Sequence, residues 1–235
     1  MSHETPEVPY PHVVFVHGLW MNGLETLWIR RRMQSLDFAP RAFRYESLHA
    51  SVEQVVDALS AALARLPPPV HLVGHSLGGL MLLKLFELRP DQPPGRVVLM
   101  GSPASGSHAA RSVSQWTIGP AVLGPLALAE LVRGEPRRWT QPRELGVIAG
   151  CTSAGLGRLV ADLPRPNDGT VAVEETRIEG MTDHVVLPVT HTSMLVSADA
   201  ARHLARFLRS GRFSGSDPGS KQESDPFWGL TPPGP

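Results

Sequence analysis

Cysteine is nearly missing from this chain. Cys151 is the only one in 235 residues, so no internal disulfide can form. It follows the apolar run Val147-Ile148-Ala149-Gly150 and reads as a small buried hydrophobe. An excess of charge of either sign is missing too, because 22 Lys and Arg are balanced by 22 Asp and Glu. Without a basic field, neither nucleic acid nor an anionic membrane is an expected partner. No apolar run is long enough to cross a bilayer, which excludes an integral membrane contact. The first residues, Met1 to Pro11, lack the basic start and apolar core of a secretory signal, so a cytoplasmic protein is expected. Ten histidines are present. None stands in a His-x-Glu pattern and no Cys-x-x-Cys exists, so neither a metal nor any other cofactor is expected. There is no internal repeat, and nothing in the sequence specifies an oligomeric state.

What the chain does have is alternation. Hydrophobic residues make up 42% of it, which suits one globular domain with a sizeable core. Short runs at Val13–Val16, Arg41–Tyr45, Val70–Val73, Arg96–Met100, Val147–Ala149 and Val185–Leu187 read as strands. Several are apolar throughout, as strands covered on both faces of a parallel sheet should be. Helices fall between them. Ser51-Val52-Glu53-Gln54 is a capping box, and Val52, Val55, Val56, Leu59, Leu63 and Leu66 form one stripe that Pro67 stops. Met194, Leu195, Ala198, Ala201, Ala205 and Leu208 form another in the last helix. Strands alternating with helices predict an α/β fold with a doubly wound, mostly parallel sheet. Residues 1–11 form an N-terminal extension, 12–209 the domain, and 210–235 a tail whose Gly, Ser, Pro and charge predict disorder. Phe227-Trp228 stands out in that tail as a docking element or a short binding motif. Residues 104–143 interrupt the rhythm with the apolar stretch Ala121 to Val132, flanked by Trp116 and Trp139. The stretch is either a separate inserted element or an ordinary crossover helix with a loop.

The most informative segment is Gly74-His75-Ser76-Leu77-Gly78-Gly79. It follows the strand run Val70–Val73 and opens a helix from Leu77 to Leu88. A serine between small residues at a strand-to-helix turn takes a strained backbone conformation that holds its hydroxyl out at the end of the sheet. The amides that follow, at the helix N-terminus, point toward an anionic intermediate.

This arrangement resembles the α/β-hydrolase family, and within it the lipase-like serine esterases. Five segments carry the likeness, in the family's order. They are Val13 to Trp20, a strand running into a His17-Gly18 oxyanion loop; Gly74 to Gly79, the nucleophile elbow; Val97 to Ser107, a strand and G-S-P-x-x-G-S loop; Pro166 to Val171, similar to the N-D-G-x-V segment that carries the acid; and His191 to Leu195, after the run Val185-Val186-Leu187. The resemblance spans residues 12 to 209 and implies a Ser76, Asp168, His191 triad, with the amides of Leu19 and Leu77 as the oxyanion hole. It also places residues 104–143 where the family often inserts a cap or lid, here a small acyl-binding one if the stretch is not a crossover helix.

The chemistry of the side chains agrees. A serine hydroxyl needs a base within reach, an imidazole is the usual base, and a carboxylate fixes its tautomer. Among the other histidines, His75 lies within the elbow and is expected to pack beside the serine. His17 belongs to the oxyanion loop, and His184 precedes the last strand rather than following it. Asp162 and Asp183 remain alternatives to Asp168, since Asn167-Asp168-Gly169 is also a good turn in its own right. The expected function is hydrolysis of carboxylic esters through an acyl-enzyme, with a small-molecule ester as partner. Leu19, Trp20 and Met21 suggest an apolar acyl chain. Thioesterase, amidase and acyltransferase activities use the same triad, and a non-catalytic binding protein on this fold is the alternative of another class.

Overall fold

Each of the six short runs becomes a strand. In the computed structural model, which describes residues 10–115, 119–132, 137–153 and 163–214, they are β1 (His12–Val16), β2 (Ala39–Phe43), β3 (Val70–His75), β4 (Val97–Met100), β5 (Leu145–Gly150) and β6 (Asp183–Leu187). All pair in parallel, in the spatial order β2-β1-β3-β4-β5-β6. Strand β2 lies two residues earlier than the pattern of Arg41–Tyr45 predicts. It contains Pro40, which an edge strand tolerates. Tyr45 leaves the strand because its N–H and hydroxyl are engaged by His17, described below.

Side chains alternate between two cores, as the period of a strand requires. Val13, Phe15, Val73, Val98, Met100 and Ile148 face α1 (Leu27–Gln34) and α6 (Ala198–Ser210). Val14, Val16, Leu72, Leu99 and Val147 face α2 (Val52–Leu63) and α3 (Leu77–Leu88). Helices on both faces make the sheet doubly wound. Helix α1 escapes a reading of periodicity because it is apolar on two sides: Ile29 and Met33 are buried while Leu27 and Trp28 are exposed.

Capping sets the helix starts. The capping box at α2 forms as predicted, with Gln54 N–H on Ser51 Oγ at 3.2 Å and Ser51 N–H on Gln54 Oε1 at 2.8 Å. The helix stops at Leu63 rather than Leu66, which still packs on the core. Helix α6 begins later than its apolar stripe suggests. Ser197 caps it by accepting from Ala200 N–H, and Met194 and Leu195 occupy a separate 3₁₀ turn. Past α6, Phe213 is buried against Phe207, and its N–H donates to Asp183 Oδ2 at 2.7 Å. The packed region therefore continues beyond residue 209, because one aromatic outweighs the polar composition around it. Phe227-Trp228 lies outside the described residues.

Between β4 and β5 the chain forms α4 (His108–Ser114), α5 (Gly119–Ala127, broken at Gly124 with φ 73°) and a π turn, Leu128–Val132. Leu123, Leu126, Ala127 and Leu131 are buried in the same core as α2 and α3. Trp139 joins that core edge-on to Phe86, with its Nε1–H donating to Arg143 O at 2.8 Å. Trp116 lies outside the described residues. Among the described residues, no helix is long and apolar enough to cross a membrane.

Candidate active site

The strand order reverses direction between β1 and β3, and open parallel sheets collect ligands at the carboxyl ends of strands beside such a point. The Leu19 loop leaves β1 there, and Ser76 follows β3. Ser76 adopts φ 53°, ψ −123°, a conformation that costs a non-glycine residue about 1–3 kcal/mol. Its N–H donates to Met100 O on β4 at 2.9 Å, which fixes the turn to the sheet. The side chain does not cap α3, although it occupies the cap position. The glycines around it are dictated by space. A Cβ on Gly74 would lie 2.4 Å from Gly79 Cα, and one on Gly78 would lie 2.2 Å from Val16 O. Helix α3 thus approaches β1 and β3 more closely than any side chain allows, and Ser76 alone of the elbow is partly open to solvent.

Asp168 and His191 meet across the loops that follow β5 and β6. His191 Nδ1 and Asp168 Oδ2 are 2.7 Å apart, and Asp168 is completely buried. The second carboxylate oxygen shapes its own turn, since Oδ1 accepts from Thr170 N–H at 2.9 Å and Val171 N–H at 2.7 Å. One carboxylate oxygen of Asp168 thus holds its own turn, and the other faces His191. His191 N–H also donates to Asp168 O at 2.9 Å. Because Nδ1 donates to a carboxylate, the lone pair of this imidazole is left on Nε2. Both residues border Gly101 at the end of β4, where a Cβ would lie 3.2 Å from Asp168 Oδ2 and from His191 Nδ1.

The alternatives separate by position. Asp183 opens β6 at the other end of the sheet, where it accepts from His184 N–H and Phe213 N–H. His184 is next to it and pairs with Thr176 Oγ1 at 3.0 Å. Asp162 lies outside the described residues. His17 is buried under the β1 loop. Its Nδ1–H donates to Gly18 O at 2.9 Å, and its Nε2 accepts from Tyr45 N–H at 3.3 Å. Burial holds its pKa below the usual range, so it is neutral, and it stacks on Tyr45 with centroids 4.3 Å apart. Tyr45 Oη donates to His17 O at 2.9 Å. The two peptides before Leu19 are thereby each held by one side-chain bond, at His17 O and at Gly18 O.

One residue that the sequence does not single out bolts the site together. Glu175 is buried, and its Oε1 accepts from His108 N–H at 2.6 Å and lies 2.7 Å from His108 Nδ1. Its Oε2 accepts from Ala172 N–H at 2.7 Å, and its backbone carbonyl accepts from Ser105 N–H and Oγ–H. It joins the loop after β4 to the loop that carries Asp168. A lone Glu in a polar stretch has no sequence signature of such a task. No group of three His, Cys, Asp or Glu side chains suited to a metal ion occurs among the described residues.

A model of the Alpha/beta hydrolase family matches residues 13–229. The probable esterase PIR7A of Oryza sativa subsp. indica is 36% identical over 111 residues, which are 41% of this chain and 41% of that protein. The match thus spans about two fifths of the length of this curated relative. Among solved structures, the mature form of the Bacillus licheniformis lipase BlEst2 aligns with a TM-score of 0.71 at 18% identity, covering 88% of this chain and 94% of that one. The RedJ thioesterase of the prodiginine biosynthetic pathway in Streptomyces coelicolor aligns with a TM-score of 0.56 at 15% identity, covering 86% and 87%. At these identities the likeness to solved structures is one of fold.

Proposed function

The chain belongs to the alpha/beta hydrolase family, and from that premise we propose that it hydrolyses carboxylic esters through an acyl-enzyme formed on Ser76. The observation that carries this reading is the 2.7 Å Asp168–His191 pair, held at the same end of the sheet as the strained, uncapped Ser76. In the proposed reaction Ser76 Oγ attacks the ester carbonyl carbon while His191 Nε2 takes the hydroxyl proton. Asp168 holds the imidazole in the tautomer that can accept it and stabilises the imidazolium. The oxyanion sits against the N–H groups of Leu77 and Leu19. The tetrahedral intermediate then expels the alcohol, which leaves with the proton from His191. A water attacks the acyl-enzyme, giving its proton to the same nitrogen, and collapse releases the carboxylic acid and restores Ser76.

An apolar acyl chain suits the rim. Trp20, in the loop after His17-Gly18, is 60% exposed, and Leu24, Leu27 and Trp28 in the segment that follows are exposed too. Labelling with a fluorophosphonate, followed by mapping of the adduct, tests the chemistry. An adduct on Ser76, absent from Ser76→Ala, is expected. A folded wild-type protein that takes up no label overturns the reading. A series of p-nitrophenyl esters tests the acyl class. Each methylene removed from water is worth about 0.8 kcal/mol, or roughly fourfold in kcat/KM. A climb from acetate toward octanoate is expected, and a preference for acetate over every longer ester rejects the apolar acyl chain.

A further inference from the structure

His75 stands next to the proposed nucleophile, and the reaction above makes no use of it. It closes β3 on the face that also carries Val73 and Met100, where packing by itself calls for an apolar side chain. Instead a histidine is buried there, 2% exposed. Its Nδ1 is buried without a hydrogen-bond partner among the described residues and faces Gly18, where a Cβ would lie 3.3 Å away. Burying an imidazole nitrogen unpaired is unfavourable, so packing alone does not account for this residue. The other nitrogen does. His75 Nε2 lies 2.9 Å from His191 O, and since a carbonyl can only accept, Nε2 carries the proton. The two rings also meet face to tilted face, with centroids 4.7 Å apart at 45°.

We propose that His75 is the positioning residue of the catalytic base, holding the His191 main chain by its Nε2–H and supporting the His191 ring from below. This rests on the esterase reading. His191 is then fixed at three points: its N–H on Asp168 O, its Nδ1 on Asp168 Oδ2, and its C=O under His75. The first two set the tautomer and one edge of the ring. The third stops the peptide after His191 from rotating and carrying the imidazole off its line to Ser76 Oγ. The ring of His75 is suited to this because burial, with the nearby His191, lowers its pKa to about 3. It therefore stays neutral and adds no charge beside an imidazolium.

The test compares His75→Leu, which keeps the volume and loses the donor, with His75→Gln, whose amide nitrogen replaces Nε2. Fluorophosphonate labelling rates and ester kcat and KM are measured per titrated active site, alongside melting temperature. His75→Leu is expected to lower the labelling rate and kcat about tenfold or more with KM within about twofold, as loss of one buried hydrogen bond to the base allows. His75→Gln is expected to recover most of that loss. If His75→Leu does not fold, His75→Asn, whose shorter amide falls short of the carbonyl, takes its place with the same expectation. Labelling at the wild-type rate in the donor-less variant, or equal slowing in the donor-less variant and His75→Gln, overturns the proposal. A wild-type protein that is not labelled at all overturns the esterase reading instead.

Discussion

Asp168 divides its two oxygens between two tasks, and that division predicts how its substitutions differ. Oδ1 holds the turn through Thr170 and Val171, and Oδ2 meets His191. In Asp168→Asn the amide oxygen can keep the two backbone donors, which turns the NH₂ toward His191 Nδ1. That nitrogen must then accept, so the proton moves to Nε2 and the base is lost. Turnover of a p-nitrophenyl ester should fall by about 10³ or more while the melting temperature changes little. Ser76→Ala and His191→Ala should reach the same floor within roughly tenfold, because in the proposed reaction the three act as a unit. Asp168→Ala strips both sets of partners and should lose stability as well. Near-full activity in Asp168→Asn would show that another carboxylate orients His191.

At the scale of elements, two contacts decide how the segment between β4 and β5 sits on the sheet. Glu175 ties Ser105 and His108 to the acid loop. Removing its carboxylate leaves the N–H groups of His108 and Ala172 without their acceptor, so Glu175→Ala should cost about 3 kcal/mol in urea unfolding. A change below about 0.5 kcal/mol would mean that solvent replaces the carboxylate freely. Leu126 is fully buried in the core cluster that also takes in side chains of α2 and α3. Leu126→Asn places an unpaired amide in that core, again at about 3 kcal/mol or more. Acetate and octanoate turnover should then fall together as the melting temperature falls. If only the preference for octanoate is lost and stability is kept, Leu126 lines an acyl site and is not part of the core.

The whole molecule should lose stability in mild acid, through histidines on opposite ends of the sheet. Burial, reinforced by Arg96, lowers the pKa of His71 to about 4, and burial with His191 lowers that of His75 to about 3. His71 Nδ1 accepts from Arg96 N–H at 2.9 Å, which requires the neutral ring. Unfolded, both titrate near 6.5. The unfolded chain therefore binds more protons below that pH, and the stability present above 6.5 is lost as pH falls toward the folded values. Between pH 6.5 and 5 the pair should remove about 3 kcal/mol, read as a drop in the urea midpoint. His71→Leu should weaken that dependence, and a midpoint flat from pH 7 to 5 would reject it. Phe213→Ala should cost about 3 kcal/mol as well, since the ring is buried against Phe207. A neutral outcome would return the end of the domain to residue 209.

The sheet, its parallel strands and the elbow were legible in the sequence because they rest on local physics. Strands covered on both faces must be apolar throughout, and a turn as tight as that at Ser76 admits only Gly74, Gly78 and Gly79 around it. Strand ends and helix starts were less legible, since Tyr45 and Ser197 set them by pairing with His17 and Ala200. The pairing of Asp168 with His191 joins residues 23 apart, while His75 meets His191 across 116 and Glu175 meets His108 across 67. No pattern along a chain encodes which buried polar group will find which partner at such separations. The sequence determined the fold class and which residue types could do chemistry. Only the tertiary structure decided which carboxylate faces the histidine, because that choice depends on which loops the order β2-β1-β3-β4-β5-β6 brings to one end of the sheet.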